Sequence, residues 1–158
     1  MNQLYSPAIL PVTRDAIARI VPFGPAWLMV DEVTALAPDR IQTRKTLAED
    51  DPYIAAHFAR GPAILPGVLL IEFVSQSAYL LGVLSSPSAG DAPPRLLARC
   101  SASFLAPARA GDTLVADLVL VECINGVAMH EALVSCGERT ICRARVFGAP
   151  HASGEGPA

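Results

Sequence analysis

Apolar and polar residues follow two rhythms along this chain. Over residues 66–84, PGVLLIEFVSQSAYLLGVL, apolar side chains run almost without a break, interrupted by Glu72, Ser75, Gln76 and Ser77. That length and continuity predict a helix covered on most of its sides. A shorter helix is predicted over 13–21, with Thr13 as N-cap and Ile17, Ile20 and Val21 on one face. The rest reads as strands: 27–36 and 40–47 around the turn Ala37-Pro38-Asp39, then 96–104, 113–123, 127–136 and 140–147. The breaks in the second half are residues 107–112, Asn125-Gly126 and Gly137-Glu138, the last two being hairpin signals. Residues 49–65, rich in Asp, Pro and Gly, read as a loop, 85–94 as a surface loop, and 149–158 as a disordered tail.

Two strands, one long helix and four strands predict a single α+β domain over 1–148, an antiparallel sheet wrapped around the helix. No repeat and no second domain boundary is visible. With 52% hydrophobic and 17% charged residues in 158, the chain has more apolar surface than one small domain needs, which predicts burial at a subunit interface. A net charge of −3 argues against a nucleic-acid partner held by phosphate neutralisation. A carboxylate in mid-run, Glu72, is expensive in lipid, so the long helix is expected inside the protein and not in a membrane. The first residues lack a basic start followed by an apolar core, so a cytoplasmic location is expected. The four cysteines, Cys100, Cys123, Cys136 and Cys142, form no CxxC pair and fall on predicted strands. They are expected to be buried thiols, with no metal site and no disulfide framework.

Candidate chemistry concentrates in His57-Phe58-Ala59-Arg60-Gly61-Pro62-Ala63-Ile64-Leu65-Pro66-Gly67-Val68-Leu69-Leu70-Ile71-Glu72. Pro66 suits a first helical turn, and the N–H groups of Gly67 and Val68 are donors that a helix start leaves unpaired. Such donors stabilise an oxygen that gains negative charge. Glu72 and Gln76 stand four apart, on one helix face with Ser75 and Tyr79 beside them. Plain readings stand beside these: an ordinary proline-started helix, a Glu72 paired with arginine or backbone N–H, and a solvated loop histidine. His130, on a strand, and His151, in the tail, are read as solvated. His57 differs because a helix start and a carboxylate follow it at a spacing that one acid–base site could use.

These residues resemble the 3-hydroxyacyl-acyl-carrier-protein dehydratases, which have the hotdog fold. The resemblance rests on His57-Phe58, Gly61, Pro66-Gly67-Val68-Leu69 and Glu72-x-x-x-Gln76, and extends to Pro22, Trp27-Leu28-Met29-Val30-Asp31, Phe104, Pro107 and Gly111-Asp112. It covers about residues 15–147. The family's histidine and proline usually stand eight apart. Here the pattern is His-x-x-x-Gly-x-x-x-x-Pro, one residue longer, similar to the dehydratase domains of polyketide synthases. The family's His-Arg-Tyr-Pro ahead of its first strand is replaced by Phe23-Gly24-Pro25-Ala26.

The resemblance implies a homodimer or larger homo-oligomer that dehydrates a (3R)-hydroxyacyl thioester on an acyl carrier protein to the trans-2-enoyl thioester, in fatty-acid or polyketide-type synthesis. It implies that His57 takes the C2 proton, that Glu72 of the other subunit protonates the departing hydroxyl, and that the Gly67 and Val68 N–H groups hold the thioester oxygen. Gln76 would support Glu72, and Trp27, Phe58, Leu65 and Phe73 would line an acyl tunnel. No cofactor or metal is implied. Arg60, Arg99 and Arg109 could meet an acidic carrier, although solvated surface arginines are the plainer reading. Two alternatives remain: a hotdog acyl-thioesterase, which would use the helix carboxylate without His57, and a non-catalytic hotdog subunit supporting a biosynthetic partner. The Asp-x-x-x-x-His segment of related hydratases is absent.

Overall fold

The computed structural model describes residues 10–85 and 95–150. The chain runs β1 (Val12–Thr13), α1 (Arg14–Ile20), a 3-10 turn (Pro25–Trp27), β2 (Glu32–Ala37), β3 (Arg40–Thr46), α2 (Pro52–His57), α3 (Gly67–Leu84), β4 (Arg95–Phe104), β5 (Thr113–Ile124), β6 (Val127–Cys136) and β7 (Arg139–Pro150). All strand pairs are antiparallel and form one sheet in the order β1-β2-β3-β5-β6-β7-β4. The expected α+β hotdog arrangement is therefore present: the sheet curls around α3, which touches β3, β4, β5, β6 and β7.

Period-two alternation drives this arrangement. Ile41 and Thr43 on β3, Leu114, Ala116 and Leu118 on β5, Ala128, His130, Ala132 and Val134 on β6, and Ala144 and Val146 on β7 are buried on the sheet's inner face. Against them α3 places Leu70, Phe73, Val74, Leu80 and Leu81, all buried. Where two hydroxyls meet in this core both are satisfied: Thr43 Oγ1–H donates to Ser77 Oγ at 2.7 Å, and Ser77 donates to Phe73 O at 2.8 Å. The turn at Asn125-Gly126 has positive φ at both residues, 51° and 80°, which closes the β5–β6 hairpin with the twist of its strands.

Several expectations are corrected. The segment 49–65 is not all loop, because Asp51 Oδ1 accepts from the N–H groups of Tyr53 and Ile54 (2.9 and 3.1 Å) and starts α2, with Pro52 in its first turn. An Asp-Pro start was the available signal for that helix. The strand expected over 27–36 begins only at Glu32. Upstream, Pro25 opens the 3-10 turn and the Met29 N–H donates to the Gln76 side chain at 2.8 Å instead of to a neighbouring strand. In α1, Ile17 and Val21 are buried but Ile20 is turned outward, and Thr13 occupies the N-cap without a side-chain cap bond. Strand β7 continues to Pro150, paired with Arg95, so Ala149 and Pro150 belong to the domain and not to the tail.

Cys100 and Cys123 are exposed and Cys136 half-buried, so only Cys142 is the expected buried thiol; there burial pushes the pKa up to about 11. His130 is buried and not solvated. His151, most of the 85–94 loop and the tail beyond Pro150 lie outside the described residues.

Candidate active site

His57 is the last residue of α2, and its place is set by the loop that follows. Gly61 has φ 132°, a conformation that side chains with a Cβ rarely adopt, and it lets the chain reverse. The returning strand then supplies the Ile64 carbonyl, to which His57 Nδ1–H donates at 2.9 Å. A carbonyl can only accept, so Nδ1 carries a proton, and in the neutral ring Nε2 is the nitrogen with the lone pair. The ring also stacks on Phe58, with centroids 4.0 Å apart.

The returning segment is itself tied down. Leu65 N–H donates to Ala108 O at 2.8 Å, and Ile64 forms an isolated bridge with Arg109. Asp112 holds that neighbouring turn by accepting from Arg109 N–H at 2.9 Å and from Arg139 at 3.0 and 2.9 Å. Partial burial alone would raise the Asp112 pKa, but the Arg109 N–H and the Arg139 guanidinium hold its carboxyl below the usual range. The Phe-x-x-Pro and Gly-Asp residues thus act as the anchor of the histidine loop.

Helix α3 begins at Gly67, one residue after the expected start, and Pro66 is its N-cap and not part of its first turn. A Cβ on Gly67 would come 3.1 Å from the Phe104 ring, so a side chain here would need that ring to shift by a few tenths of an ångström. Val68 projects outward and is 72% exposed. The N–H groups of both residues precede the first intrahelical bonds.

One turn further in, Glu72 stands in a polar cluster. Its Oε1 accepts from Trp27 Nε1 at 2.9 Å and from Gln76 Nε2 at 2.8 Å. Gln76 is fully used: Nε2 also donates to Trp27 O at 2.8 Å, and Oε1 accepts from Met29 N–H at 2.8 Å. The polar stripe on the helix therefore exists to fasten a carboxylate and a 3-10 turn together. Trp27, expected in the acyl tunnel, is instead a donor to the carboxylate, with its ring edge-on to Tyr53.

Beside Glu72 lies a cavity of about 160 Å³, walled by Phe23, Gln76, Tyr79, Leu97, His130 and Val146 among others. Trp27, Phe58, Leu65 and Phe73 are not among its walls: Phe73 and Leu65 are packed in the core and Phe58 stacks on His57. Sequence reasoning placed Tyr79 on the Glu72 face but gave no site role to it, to Phe23 or to His130. The helical spacing of Tyr79 from Glu72 was a signal for one of them, whereas His130 and Phe23 arrive from distant parts of the chain. Among the described residues no hydrogen bond joins His57 to Glu72, and Arg60, Arg99 and Arg109 are exposed and scattered.

Residues 21–145 match the model of the FabA-like domain. The chain belongs to the FabA-like family. Curated relatives of this FabA-like chain include the 3-hydroxyacyl-acyl-carrier-protein dehydratase FabZ of Paracidovorax citrulli, 29% identical over 137 residues, with 83% of this chain and 91% of that protein covered. The FabZ of Anaeromyxobacter sp. is 33% identical over 112 residues, covering 68% and 70%. Among solved structures, the dehydratase heterocomplex ApeI:P from Xenorhabdus doucetiae superposes with a TM-score of 0.70 at 15% identity, covering 92% of this chain and 94% of that one. Thioesterase superfamily member 2 of Mus musculus superposes with a TM-score of 0.64 at 13% identity, covering 85% and 92%. At those identities the solved structures share the fold with the FabA-like chain, and the fold alone is common to dehydratases and thioesterases.

Proposed function

We propose that this protein dehydrates a (3R)-hydroxyacyl thioester carried on an acyl carrier protein, giving the trans-2-enoyl thioester and water. Two observations support the reading: His57 Nδ1 is held by the Ile64 carbonyl, and the helix carboxylate Glu72 has one oxygen that already accepts two hydrogen bonds. FabA-like membership and the FabZ relatives support the same reaction.

The steps follow from the two fixed groups. Nε2 of His57 takes the C2 proton, and the electron pair of that C–H bond moves toward the thioester carbonyl. The growing negative charge on its oxygen is met by the N–H groups of Gly67 and Val68 at the positive end of α3. The C2=C3 bond then forms as the C3–O bond breaks. The leaving hydroxyl takes a proton from Glu72, directly or through one water, and departs as water. Because Oε1 already accepts two hydrogen bonds, Oε2 is the oxygen left to carry that proton to the leaving group. Solvent exchange returns the proton from His57 to Glu72.

The site is completed by a second copy. Strand β4 is the sheet edge, pairs only with β7, and is exposed along its whole length, with Leu96, Leu97 and Phe104 uncovered. Val68 and Leu105 extend that apolar surface. A long apolar edge strand is unstable in water unless paired, so β4 is assigned to β4 of a second subunit. His57 of one subunit then serves Glu72 of the other. A carrier-protein substrate fits a cytoplasmic enzyme of fatty-acid or polyketide-type synthesis.

The test is direct. Purified protein given a (3R)-hydroxyacyl carrier-protein thioester should form the 2-enoyl thioester, with His57→Ala and Glu72→Gln each losing most activity while keeping the wild-type circular dichroism. Wild-type rates in His57→Ala would reject this mechanism, and release of free acid would replace the reading with a thioesterase.

A further inference from the structure

The inner face of β6 reads Ala128, His130, Ala132, Val134, and the one polar side chain in that set is buried, with 5% of its surface exposed. Its Nδ1 is enclosed and has no hydrogen-bond partner among the described residues. Buried polar atoms without partners are rare and unfavourable, and each calls for an explanation, a bound group among them. The ring lies where such a group could arrive. It walls the cavity beside Glu72, and it also walls a second cavity of about 300 Å³, lined further along α3 by Ala78, Leu81 and Gly82. Ala78, Arg95 and His130 are walls of both, so His130 stands at the junction of the two spaces.

The first cavity contains the carboxylate that meets the reacting hydroxyl, and its volume is about that of one six-membered ring. Along α3, Tyr79 is seven residues beyond Glu72, about 10 Å down the helix. Tyr79 is a polar wall of this cavity alongside Glu72, Ser75, Gln76 and Arg95, and its phenol can donate; burial raises its pKa further. Phe23 packs edge-on against it, with ring centroids 5.5 Å apart. An alkyl chain passing this point would leave the imidazole unpaired. A chain bearing an oxygen there would pair with it.

We propose that His130 and Tyr79 form a polar waist in the acyl path, and that the preferred substrate is a 3-hydroxyacyl chain with a second oxygen, hydroxyl or keto, on its distal part. His130 is then a specificity-determining residue for the reaction proposed above, on which this inference rests. Partly reduced polyketide chains have this chemistry, whereas fully reduced fatty-acyl chains do not.

The probes are (3R)-hydroxyacyl pantetheine thioesters of one chain length, either plain or carrying one extra hydroxyl moved stepwise along the distal half. In the wild type, kcat/KM for one position of the hydroxyl should exceed that of the plain chain by about tenfold or more, as expected when a site built to hydrogen-bond a group meets an analogue without it. His130→Leu should remove the preference by lowering the rate for the oxygenated chain and raising it for the plain one. Tyr79→Phe, which keeps the ring packing, should reduce it in part and provides the test if His130→Leu does not fold.

Equal rates for plain and oxygenated chains in the wild type, or an unchanged ratio in both variants, would overturn the inference and leave the dehydratase reading intact. If no chain is dehydrated, calorimetric binding of the matching thioesters without the 3-hydroxyl decides separately. A binding preference for the oxygenated chain that His130→Leu abolishes would uphold the waist and reject the dehydration; no preference would reject the waist.

Discussion

The indole N–H of Trp27 donates to Oε1 of Glu72 at 2.9 Å, joining a short turn near the start of the chain to the central helix. With Gln76 on the same oxygen, the bond leaves Oε2 as the one free acceptor or acid position. Trp27→Phe keeps an aromatic ring and removes that donor. Loss of one hydrogen bond to a carboxylate is worth about 1.5 kcal/mol, so kcat should fall about tenfold with KM little changed. Substrate-saturated rates for the two proteins make the comparison, and an unaltered kcat would mean that the indole has no part in placing the acid.

The assignment of the two catalytic groups to different subunits predicts complementation. His57→Ala and Glu72→Gln proteins, each inactive, are mixed under conditions of subunit exchange. Random exchange makes about half of the dimers mixed, each with one intact site, so activity should recover to about one quarter of wild type. With exchange established by mass spectrometry, an absence of recovery would place both residues in one subunit.

The β4 edge predicts the oligomer. Phe104 is half exposed in one subunit and covers Gly67, the first residue of α3. Phe104→Glu puts a charge into the proposed interface and should shift the protein from dimer to monomer at micromolar concentration, with activity lost in parallel. Sedimentation equilibrium gives the readout, and a wild-type monomer at that concentration would contradict the pairing.

Gly61 predicts a link between backbone and chemistry. Its φ of 132° is a strained conformation for alanine, costing about 1–3 kcal/mol. Gly61→Ala should lower the urea midpoint by a corresponding amount. It should lower kcat more than substrate binding, because the turn presents the Ile64 carbonyl that fixes the His57 tautomer. A change in stability with kcat unaffected would confine Gly61 to the fold.

Acid should find His130. Burial first, and the Arg95 charge second, lower its pKa from 6.5 to about 4, while Tyr79 and Glu72 wall the same cavity. The unfolded chain therefore binds this proton at a higher pH than the folded one. Stability from a neutral His130 is complete above about pH 6.5, falls as pH drops, and levels off below about 4, for a total on the order of 3 kcal/mol. Relative to His130→Leu, the wild type should lose stability across that window in urea titrations. Parallel pH curves for the two proteins would show that the imidazole is not kept neutral.

Much of the fold was legible because its signals are local. The long apolar run at Gly67–Leu84, interrupted by one carboxylate, predicts a covered helix, and Asn125-Gly126 closes its hairpin as two-residue turns of that type do. The site was half legible. His57, Gly67 and Glu72 stand out by type and spacing, but the sequence does not reveal that His57 donates to Ile64 or that Trp27 reaches Glu72, forty-five positions away. Helix α2 was missed because the Pro and Asp that suggested a loop are also a helix cap and first turn.

By itself, the amino-acid order determined the long helix and most of the strands, which face of each strand is apolar, and which residues can exchange protons. Those properties depend on neighbours within a few positions. Only the tertiary structure decided that the tunnel candidates Phe73 and Leu65 are core, that Trp27 is a donor, and that His130 is enclosed between two cavities. These outcomes depend on how strand β6 and the 3-10 turn meet α3, a meeting fixed by packing across the whole sheet and by Gln76, which satisfies Met29, Trp27 and Glu72 at once.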